Sequence, residues 1–571
     1  MTCSKLFSGE LPELIDDIIQ YFHYDYKTLH SCILVNRLWC SLAIPLLWED
    51  PFSSPTKDYH CIEIYLHHLN DDCKTKLNEY VIHNGILNSN TLFNYPKFIQ
   101  HLNTYKVYNS IEEWFETVSY PTLKPTKKSV FNYSIKEANL SYSSQVSNFK
   151  NLIFRSLFLL FIETEVNLHS FEVISVRSDF DKIIIELTLQ NPNFIVNIKN
   201  FKLACNVMNN NITRLLTLIY SNCNSISSLY FQFPKYEKDH SIVEIVEKIL
   251  PQIIKSQINL REISFNCNDY SLNHSHSLLS LKNSNCLNTL NTIVFCYVNF
   301  ENIDILSEVF NQLNVLESIH ILYCCSLDSK FIQQIINITK PFKLKSLFLN
   351  EMDDLLEPLI QKSGIYLENL VHNSQPLPQF IIKYCSKIKI LSSSLRYIQN
   401  NYLEFNLIEN IKQNLNYLII DVTIRYIDSI EDYIGNNIND CIESSSNILQ
   451  NLGQILPFKL EYLELYLAIN GSDLETFLKN SQNTFIKKLL IKNIKTEVTD
   501  DIIPYIKEYI VKKKRVKYLS ILESINFGRF YSLWHEMKGF ELYGIQVLNY
   551  FDLSIDLSID LFDFVQELIK E

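Results

Sequence analysis

One short apolar pattern recurs through most of this chain of 571 residues. It reads Leu-x-x-Leu-x-Leu, with Ile, Phe or Val allowed at the apolar places. Thirteen copies begin at Leu168, Ile198, Ile226, Leu260, Leu290, Leu316, Leu344, Leu367, Ile388, Leu415, Leu460, Ile486 and Val516. The copies at Leu367 and Ile388 are the faintest. The twelve intervals between residues 168 and 516 have a mean length of 29 residues. Such recurrence constrains the fold strongly, because each copy should form the same local structure and stack on its neighbours.

Helical periodicity fills the intervals between these copies, for example in residues 242–254 and 331–338. Each repeat therefore predicts a strand, a turn and a helix. A single unit of this kind leaves one apolar face on its strand and one on its helix, so neighbouring units must stack to bury both. The pattern resembles leucine-rich repeats. That resemblance implies an irregular α/β repeat solenoid, a horseshoe of parallel strands plus helices, over residues 151–571.

The interval from Leu415 to Leu460 is longer than the others of this region, at 45 residues. Its stretch from Asp428 to Asn447 is rich in Asp, Glu, Asn and Ser. We expect an inserted helix or loop at this position.

Alternate side chains of a strand point to opposite faces. In each copy the fourth and sixth positions should enter the core, and the third, fifth and seventh should face the concave side of the sheet. In the C-terminal repeats these positions predict a solvent-facing, aromatic substrate-binding surface of Phe348, Tyr417, Tyr462, Tyr466 and Tyr518, with Glu464, Lys488 and Lys492 among them. Aromatic residues are frequent in interface hot spots. The alternative is that the rings fill gaps between irregular repeats, because a register slip of one residue would turn each ring into the core.

The first fifty residues have a different, purely helical pattern. A first helix should follow Leu11, with its apolar stripe formed by Leu14, Ile15, Ile18, Ile19 and Phe22. Asp25 and Asn36 are suitable N-caps for a second and a third short helix, which end near Pro45. A unit this small has more apolar surface than it can bury alone, and such a surface is typical of a partner site.

The order of Leu11-Pro12-Glu13-Leu14, Ile18-Ile19, Leu29, Val35-Asn36-Arg37-Leu38-Trp39, Leu42-Ala43, Pro45 and Trp48 resembles the F-box motif. The resemblance covers about forty residues and implies an all-α F-box domain at residues 8–50. It further implies docking on a Skp-type adaptor and, through the adaptor, on a cullin. The implied adaptor-binding residues are Leu11, Pro12, Leu14, Ile15, Ile18 and Trp39. The alternative is an unrelated helical hairpin packed on the rest of the chain.

Two segments separate these helices from the repeats. Residues 51–118 mix helical patterns with short turns, which predicts a helical bridge. Residues 119–150 contain Pro121 and Pro125 in a stretch without sustained periodicity, which predicts a loop or linker.

Charge and composition disfavour several partners. The net charge of −12 repels phosphate backbones, so we expect no nucleic-acid partner. The N-terminus has no apolar stretch typical of a signal peptide, and the most apolar run, residues 157–162, is far too short to cross a membrane. The fourteen scattered cysteines then predict reduced thiols in the cytoplasm. Residues 512–515, Lys-Lys-Lys-Arg, are either a signal for nuclear import or the basic end of a helix.

Catalytic and cofactor motifs are missing from the sequence. Phosphate-binding glycine loops and the Gly-x-Ser-x-Gly elbow do not occur, and the paired histidines lack ligands at metal-binding spacing. We therefore expect no enzyme, no metal and no cofactor. The resemblances predict the substrate-recognition subunit of an SCF-type ubiquitin ligase that binds an as yet unknown protein substrate. The alternative is a leucine-rich-repeat scaffold or adaptor that acts outside a ligase.

Overall fold

The structure is a computed structural model. It describes residues 12–23, 25–53, 60–83, 91–119, 133–135, 143–175, 178–205, 207, 209–234, 240–267, 275–282, 284–350, 352–373, 377–395, 401–422, 430–494, 502–526, 529–532 and 537–555. The chain divides into two compact units. The first comprises Met1–Ile293 and Gln312–Val315, and the second comprises Val294–Asn311 and Leu316–Glu571.

Three short helices lie at the start of the first unit: α1 (Pro12–Tyr21), α2 (Tyr26–Cys32) and α3 (Arg37–Leu47). Both predicted N-caps are confirmed. The Asp25 carboxylate accepts a hydrogen bond from the amide of Thr28 at 3.0 Å, and Asn36 accepts one from the amide of Trp39 at 3.0 Å. The helices enclose an apolar core of their own, formed by Ile15, Ile19, Leu29, Cys32, Trp39, Ala43 and Leu46.

The predicted helical bridge also contains strands. Its elements are α4 (His60–His67), α5 (Asp71–Asn78), β1 (Val81–His83), β2 (His101–Asn103) and α6 (Thr104–Ser119). Strand β2 pairs in parallel with the first strand of the repeats, at Ser170–Ile174. The sheet of the first unit therefore begins earlier than the recurring apolar pattern.

The segment predicted as a loop or linker is described only in part, because residues 120–132 and 136–142 lie outside the described residues. Between them, β3 (Tyr133–Ile135) pairs antiparallel with β1. Helix α7 (Ser143–Glu163) then begins before residue 150. Regular structure thus starts inside the segment for which the sequence predicts a linker.

Strands and helices alternate through the rest of the first unit. The elements are β4 (Ser170–Ile174), α8 (Ser178–Gln190), β5 (Asn200–Ala204), α9 (Asn210–Asn222), β6 (Ser228–Phe233), α10 (His240–Ser256), β7 (Glu262–Cys267) and α11 (Ser275–Leu281). Neighbouring strands are parallel in the order β2-β4-β5-β6-β7.

The second unit begins within β8 and continues the same alternation. Its elements are β8 (Thr292–Cys296), α12 (Leu306–Gln312), β9 (Ser318–Leu322), α13 (Ser329–Asn337), β10 (Leu344–Leu349), α14 (Glu357–Ser363), β11 (Asn369–His372), α15 (Gln379–Tyr384), β12 (Ile390–Ser394), α16 (Asn401–Ile411), β13 (Tyr417–Asp421), α17 (Ile430–Ile455), β14 (Lys459–Leu467), α18 (Gly471–Asn480), β15 (Phe485–Asn493), α19 (Ile503–Ile506), β16 (Val516–Asn526), β17 (Arg529–Ser532), β18 (Gln546–Val547) and α20 (Tyr550–Leu553). Strands β9 to β16 pair in parallel with their neighbours in chain order.

The repeat pattern locates the strands closely. A strand begins within two residues of each of the thirteen predicted starts. The apolar places of the pattern are buried, as Leu463 and Leu465 of β14 illustrate. The helix expected in the long interval is α17, which has 26 residues. The predicted α/β repeat, with its solenoid-like alternation of parallel strands and helices, is therefore confirmed in both units.

In the described part of the chain, no helix combines the length and the apolar character needed to cross a membrane. The cysteines whose side chains are described are free thiols, and most of them are buried. Burial raises the pKa of Cys223, Cys324 and Cys385 to about 12 in each case. Such thiols stay protonated at neutral pH and are poor nucleophiles.

Candidate functional site: two interaction surfaces

Helix α1 has two apolar stripes, of which one is buried and one is exposed. Ile15 and Ile19 point into the core of the three helices. Leu14, Ile18 and Tyr21, spaced by four and three residues, form the exposed stripe on another side of the helix. The exposed fraction is 40 % for Leu14 and 87 % for Tyr21, whereas Ile18 is half-buried. An apolar stripe on the outside of a small helical unit is typical of a binding surface.

The turn between α2 and α3 adds two further exposed apolar side chains, Leu34 and Val35. The Leu34 amide donates to the carbonyl oxygen of Ser31, and the Val35 amide donates to that of Cys32. Since these bonds fix the main chain of the turn, both side chains are held outside the core.

The structure separates the residues predicted to bind the adaptor. Leu14 and Ile18 lie on the exposed stripe. Ile15 and Trp39 are buried in the core of the three helices. Leu11 is outside the described residues, and Pro12 is described only as the first residue of α1.

Tyr21, Leu34 and Val35 were not predicted as contacts. The spacing of seven residues between Leu14 and Tyr21 is the signal that could have identified Tyr21. Leu34 and Val35 follow directly after the apolar residues of the second helix, so sequence spacing does not show that they lie in an exposed turn.

In the second unit, strands β13 to β16 align the predicted substrate-binding residues in rows. Tyr417, Tyr462, Lys488 and Tyr518 are register partners across the four strands. Two positions further along each strand, the row is Ile419, Glu464, Leu490 and Ser520, and the next row is Asp421, Tyr466, Lys492 and Leu522. We call the surface formed by these three rows the tyrosine face. Its residues alternate with core residues such as Leu463 and Leu465, as the pattern predicts.

Rings and ammonium groups are in contact on this face. The ring centroids of Tyr417 and Tyr462 are 6.0 Å apart with nearly parallel planes. The Lys492 Nζ atom lies 3.9 Å from the ring centroid of Tyr466, which is a cation–π distance. The tyrosine face is therefore already organised by contacts among its own side chains.

The tyrosine face is covered by the chain itself. Residues 546–555, which we call the covering segment, follow the outer edge of β16 and then cross the sheet. Strand β18 pairs in parallel with Tyr518 and Leu519, and the Leu548 amide donates to the Leu519 carbonyl oxygen at 3.2 Å. Tyr550 and Leu553 of α20 are buried in an apolar cluster that includes Tyr462, Leu490 and Leu522.

A buried carboxylate lies beneath the covering segment. Glu464 is only 4 % exposed. The Tyr462 hydroxyl donates to its Oε2 atom at 2.6 Å, and the Tyr550 hydroxyl donates to its Oε1 atom at 2.5 Å. The Tyr462 hydroxyl also accepts a hydrogen bond from the Ile555 amide at 3.1 Å. Charge-assisted hydrogen bonds of this kind are stronger than neutral ones, and they compensate the burial of the charge.

The prediction of the face is right in register and wrong in exposure. Phe348 and Tyr462 were expected to face solvent, but both are fully buried, while Tyr417, Tyr466 and Tyr518 are half-buried. Tyr462 is buried because it packs in an apolar cluster with Tyr550 and Leu553 of the covering segment. Phe348, four strands away on β10, belongs to the same cluster and packs against Tyr323, whose ring centroid is 5.9 Å from its own. The apolar spacing of Leu548, Tyr550, Leu553 and Ile555 beyond the last repeat is the sequence signal that could have identified Tyr550 and Leu553 as covering residues.

One buried constellation has the composition of a catalytic triad but not its geometry. The Ser393 hydroxyl lies 3.2 Å from His372 Nε2, and the same nitrogen lies 3.4 Å from Glu404 Oε1. A triad needs the histidine to bridge the hydroxyl and the carboxylate through different nitrogens. All three side chains are also buried away from any substrate. Over the described ranges, no group of three or more His, Cys, Asp or Glu side chains could hold a metal ion.

Comparison of the sequence with protein-family models and with curated proteins gave no match.

Proposed function

We propose that this chain is the substrate-recognition subunit of an SCF-type ubiquitin ligase. In this proposal α1, α2 and α3 dock on a Skp-type adaptor, the adaptor binds a cullin, and the repeats bind a target protein. The observation that carries the proposal is the exposed stripe of Leu14, Ile18 and Tyr21 on α1, in the segment whose sequence resembles an F-box.

The exposed stripe has a plain energetic consequence. Removing a leucine, isoleucine or aromatic side chain from water stabilises a complex by about 1.5–3 kcal/mol. The core of the three helices is complete without these side chains, because Ile15, Ile19 and Trp39 fill it. Burial of the stripe therefore requires a partner.

A ligase receptor needs one surface for its adaptor and another for its target. The exposed stripe belongs to the first unit, and the tyrosine face belongs to the second. The chain thus has a candidate surface for each task, one on each compact unit. This division supports a receptor with one surface for its adaptor and another for its target.

The test is adaptor binding by a variant that carries Leu14→Glu and Tyr21→Glu. Two carboxylates on the stripe should weaken binding of a purified Skp-type adaptor by at least about 100-fold, the lower end of the loss expected from two apolar contacts. Isothermal titration calorimetry measures the affinity, and circular dichroism shows that the helices are retained. The matched control carries Gln20→Glu and Ser41→Glu, which add the same charge at exposed polar positions and should bind as the wild type does.

Equal adaptor affinity in both variants would refute the assignment of the stripe, and failure of the wild-type chain to bind the adaptor would refute the proposal as a whole. A cullin should be recovered with the adaptor when the wild-type complex is reconstituted. Recovery of the adaptor without a cullin would instead indicate a leucine-rich-repeat scaffold acting outside a ligase.

A further inference from the structure

We infer that the tyrosine face binds a target peptide with the spacing Leu-x-Tyr-x-x-Leu-x-Ile and an unmodified tyrosine, and that the covering segment is a built-in competitor for this peptide. The inference rests on the proposal that the repeats capture a target protein. It adds the chemical class of the target and a way in which capture is regulated.

The contacts of the covering segment show what the tyrosine face recognises. Tyr550 supplies a hydroxyl to the buried carboxylate of Glu464. Leu553 enters the apolar cluster, and Leu548 and Ile555 pack against it. The main-chain amide of Ile555 donates to the Tyr462 hydroxyl. Any peptide that repeats these four apolar positions and this tyrosine hydroxyl can make the same contacts.

The negative charge of Glu464, which accepts the hydrogen bond of Tyr550, decides which form of tyrosine is accepted. A phosphate group carries about −1.5 to −2 charges at neutral pH and replaces the phenol proton that the Glu464 carboxylate accepts. Beside the Glu464 carboxylate it would meet like charge in a buried site. Phosphorylation of the target tyrosine should therefore prevent binding to this face.

The covering segment is suited to displacement. Its helix α20 has four residues, too few to be stable without contacts to the sheet. Its strand β18 has two residues. The segment therefore stays on the tyrosine face through the buried side chains of Val547, Tyr550 and Leu553, the packing of Leu548 and Ile555, and a few hydrogen bonds. A target that makes the same contacts competes with the covering segment directly. The apparent affinity for the target is then the intrinsic affinity multiplied by the fraction of molecules whose face is uncovered.

The probe for a binding test is a fluorescent synthetic peptide of residues 546–555, Gln-Val-Leu-Asn-Tyr-Phe-Asp-Leu-Ser-Ile. It is titrated with the 571-residue chain carrying Tyr550→Ala and Leu553→Ala, which weaken the covering segment. This variant should bind the peptide at least tenfold more tightly than the wild-type chain does. The matched control is Phe551→Ala, since Phe551 neighbours Tyr550 but is 72 % exposed, and it should behave as the wild type.

The same peptide with phosphotyrosine in place of tyrosine should bind the double variant at least tenfold more weakly. Absence of peptide binding by the folded double variant would overturn the inference, as would equal affinity of the wild type and the double variant. Equal affinity for the two peptides would overturn the assigned role of Glu464.

Hydrogen exchange on the wild-type chain tests displacement without any substitution. Saturating unlabelled peptide should accelerate exchange of the Leu548 and Ile555 amides, which are hydrogen-bonded in the covered state. Unchanged exchange of both amides would overturn the competition. Neither assay contains an adaptor, so their outcome is independent of whether the chain belongs to a ligase.

Discussion

At the scale of single residues, Arg515 shows how a buried charge can stabilise the fold. It is the last residue of the basic run at 512–515, for which the sequence leaves open an import signal or a helix end. Its guanidinium is buried and donates to the carbonyl oxygens of Leu478, Ser481 and Thr484. Burial lowers the pKa of Arg515 to about 10, which still leaves the group charged at neutral pH. Free carbonyls near a helix end attract a cation, so Arg515 is a structural residue.

His320 is a second buried residue with a measurable consequence. It lies on β9, and its Nδ1 atom is 2.8 Å from the Ser346 hydroxyl. Burial, with a smaller contribution from the positive charge of Lys345, lowers its pKa from 6.5 to about 3. The folded chain therefore keeps this imidazole neutral at a pH at which the unfolded chain protonates it.

The expected result is a loss of stability in acid. Between about pH 6.5 and pH 3 the unfolded state binds one proton more at His320 than the folded state does, so the free energy of unfolding falls as the pH falls. The slope from this residue should be about 1.4 kcal/mol per pH unit. Denaturant unfolding from pH 7 to pH 4.5 should show this component in the wild type and not in His320→Gln. The exposed His276→Gln is the control, and identical slopes in all three proteins would contradict the expectation.

At the scale of elements, α17 and α18 approach each other closely at Gly453. A Cβ atom at this position would lie 2.7 Å from the Phe477 carbonyl oxygen and 2.9 Å from the Asn480 Cβ atom. Neither neighbour is the far end of a flexible side chain, so the two helices would have to move apart. Overpacking of this kind typically costs about 1–3 kcal/mol.

Gly453→Ala should therefore lower the free energy of unfolding by about 1–3 kcal/mol, although alanine favours helices more than glycine does. Chemical denaturation followed by circular dichroism measures the change. Gly539→Ala is the matched control, because a Cβ atom there meets nothing within 4 Å. If Gly453→Ala were as stable as the wild type, the close approach of the two helices would be disproved.

The elements that could be predicted are those with a strong local pattern. Strands β4 to β16 could be located because each lies at a copy of the recurring Leu-x-x-Leu-x-Leu pattern. Strand β2 has three residues, which is too few for a pattern. Helix α7 begins at Ser143 with polar residues and becomes apolar only near Phe149, so its first turns resemble a linker.

The candidate surfaces depend on contacts that local patterns do not contain. Helical spacing places Leu14, Ile15, Ile18 and Ile19 on one broad apolar stripe of α1, but it does not say which side of that stripe the core buries. Likewise, the register of Tyr462 follows from the repeat, whereas its burial under Tyr550 depends on a segment 88 residues further along the chain. Such choices are made by tertiary packing.

At the scale of the whole molecule, the two proposed surfaces lie on different compact units. We expect no energetic coupling between them, because neither ligand changes contacts in the unit of the other. The affinity of the double variant Tyr550→Ala with Leu553→Ala for the peptide should therefore agree within about twofold with and without saturating adaptor, a difference of about 0.4 kcal/mol. Fluorescence titration measures both values. A tenfold difference would show that the two units communicate.

The last long strand, β16, has a consequence for solubility. An unpaired strand edge is a template for aggregation with other chains. On the side away from β15, β17 pairs antiparallel with residues 522–526 of β16 and β18 pairs in parallel with Tyr518 and Leu519. Strands β17 and β18 therefore cover this edge of β16 and block edge-to-edge pairing with other chains. Truncation before residue 546 would remove β18 and leave Tyr518 and Leu519 without this strand partner, which exposes a β edge at which fibrils could nucleate.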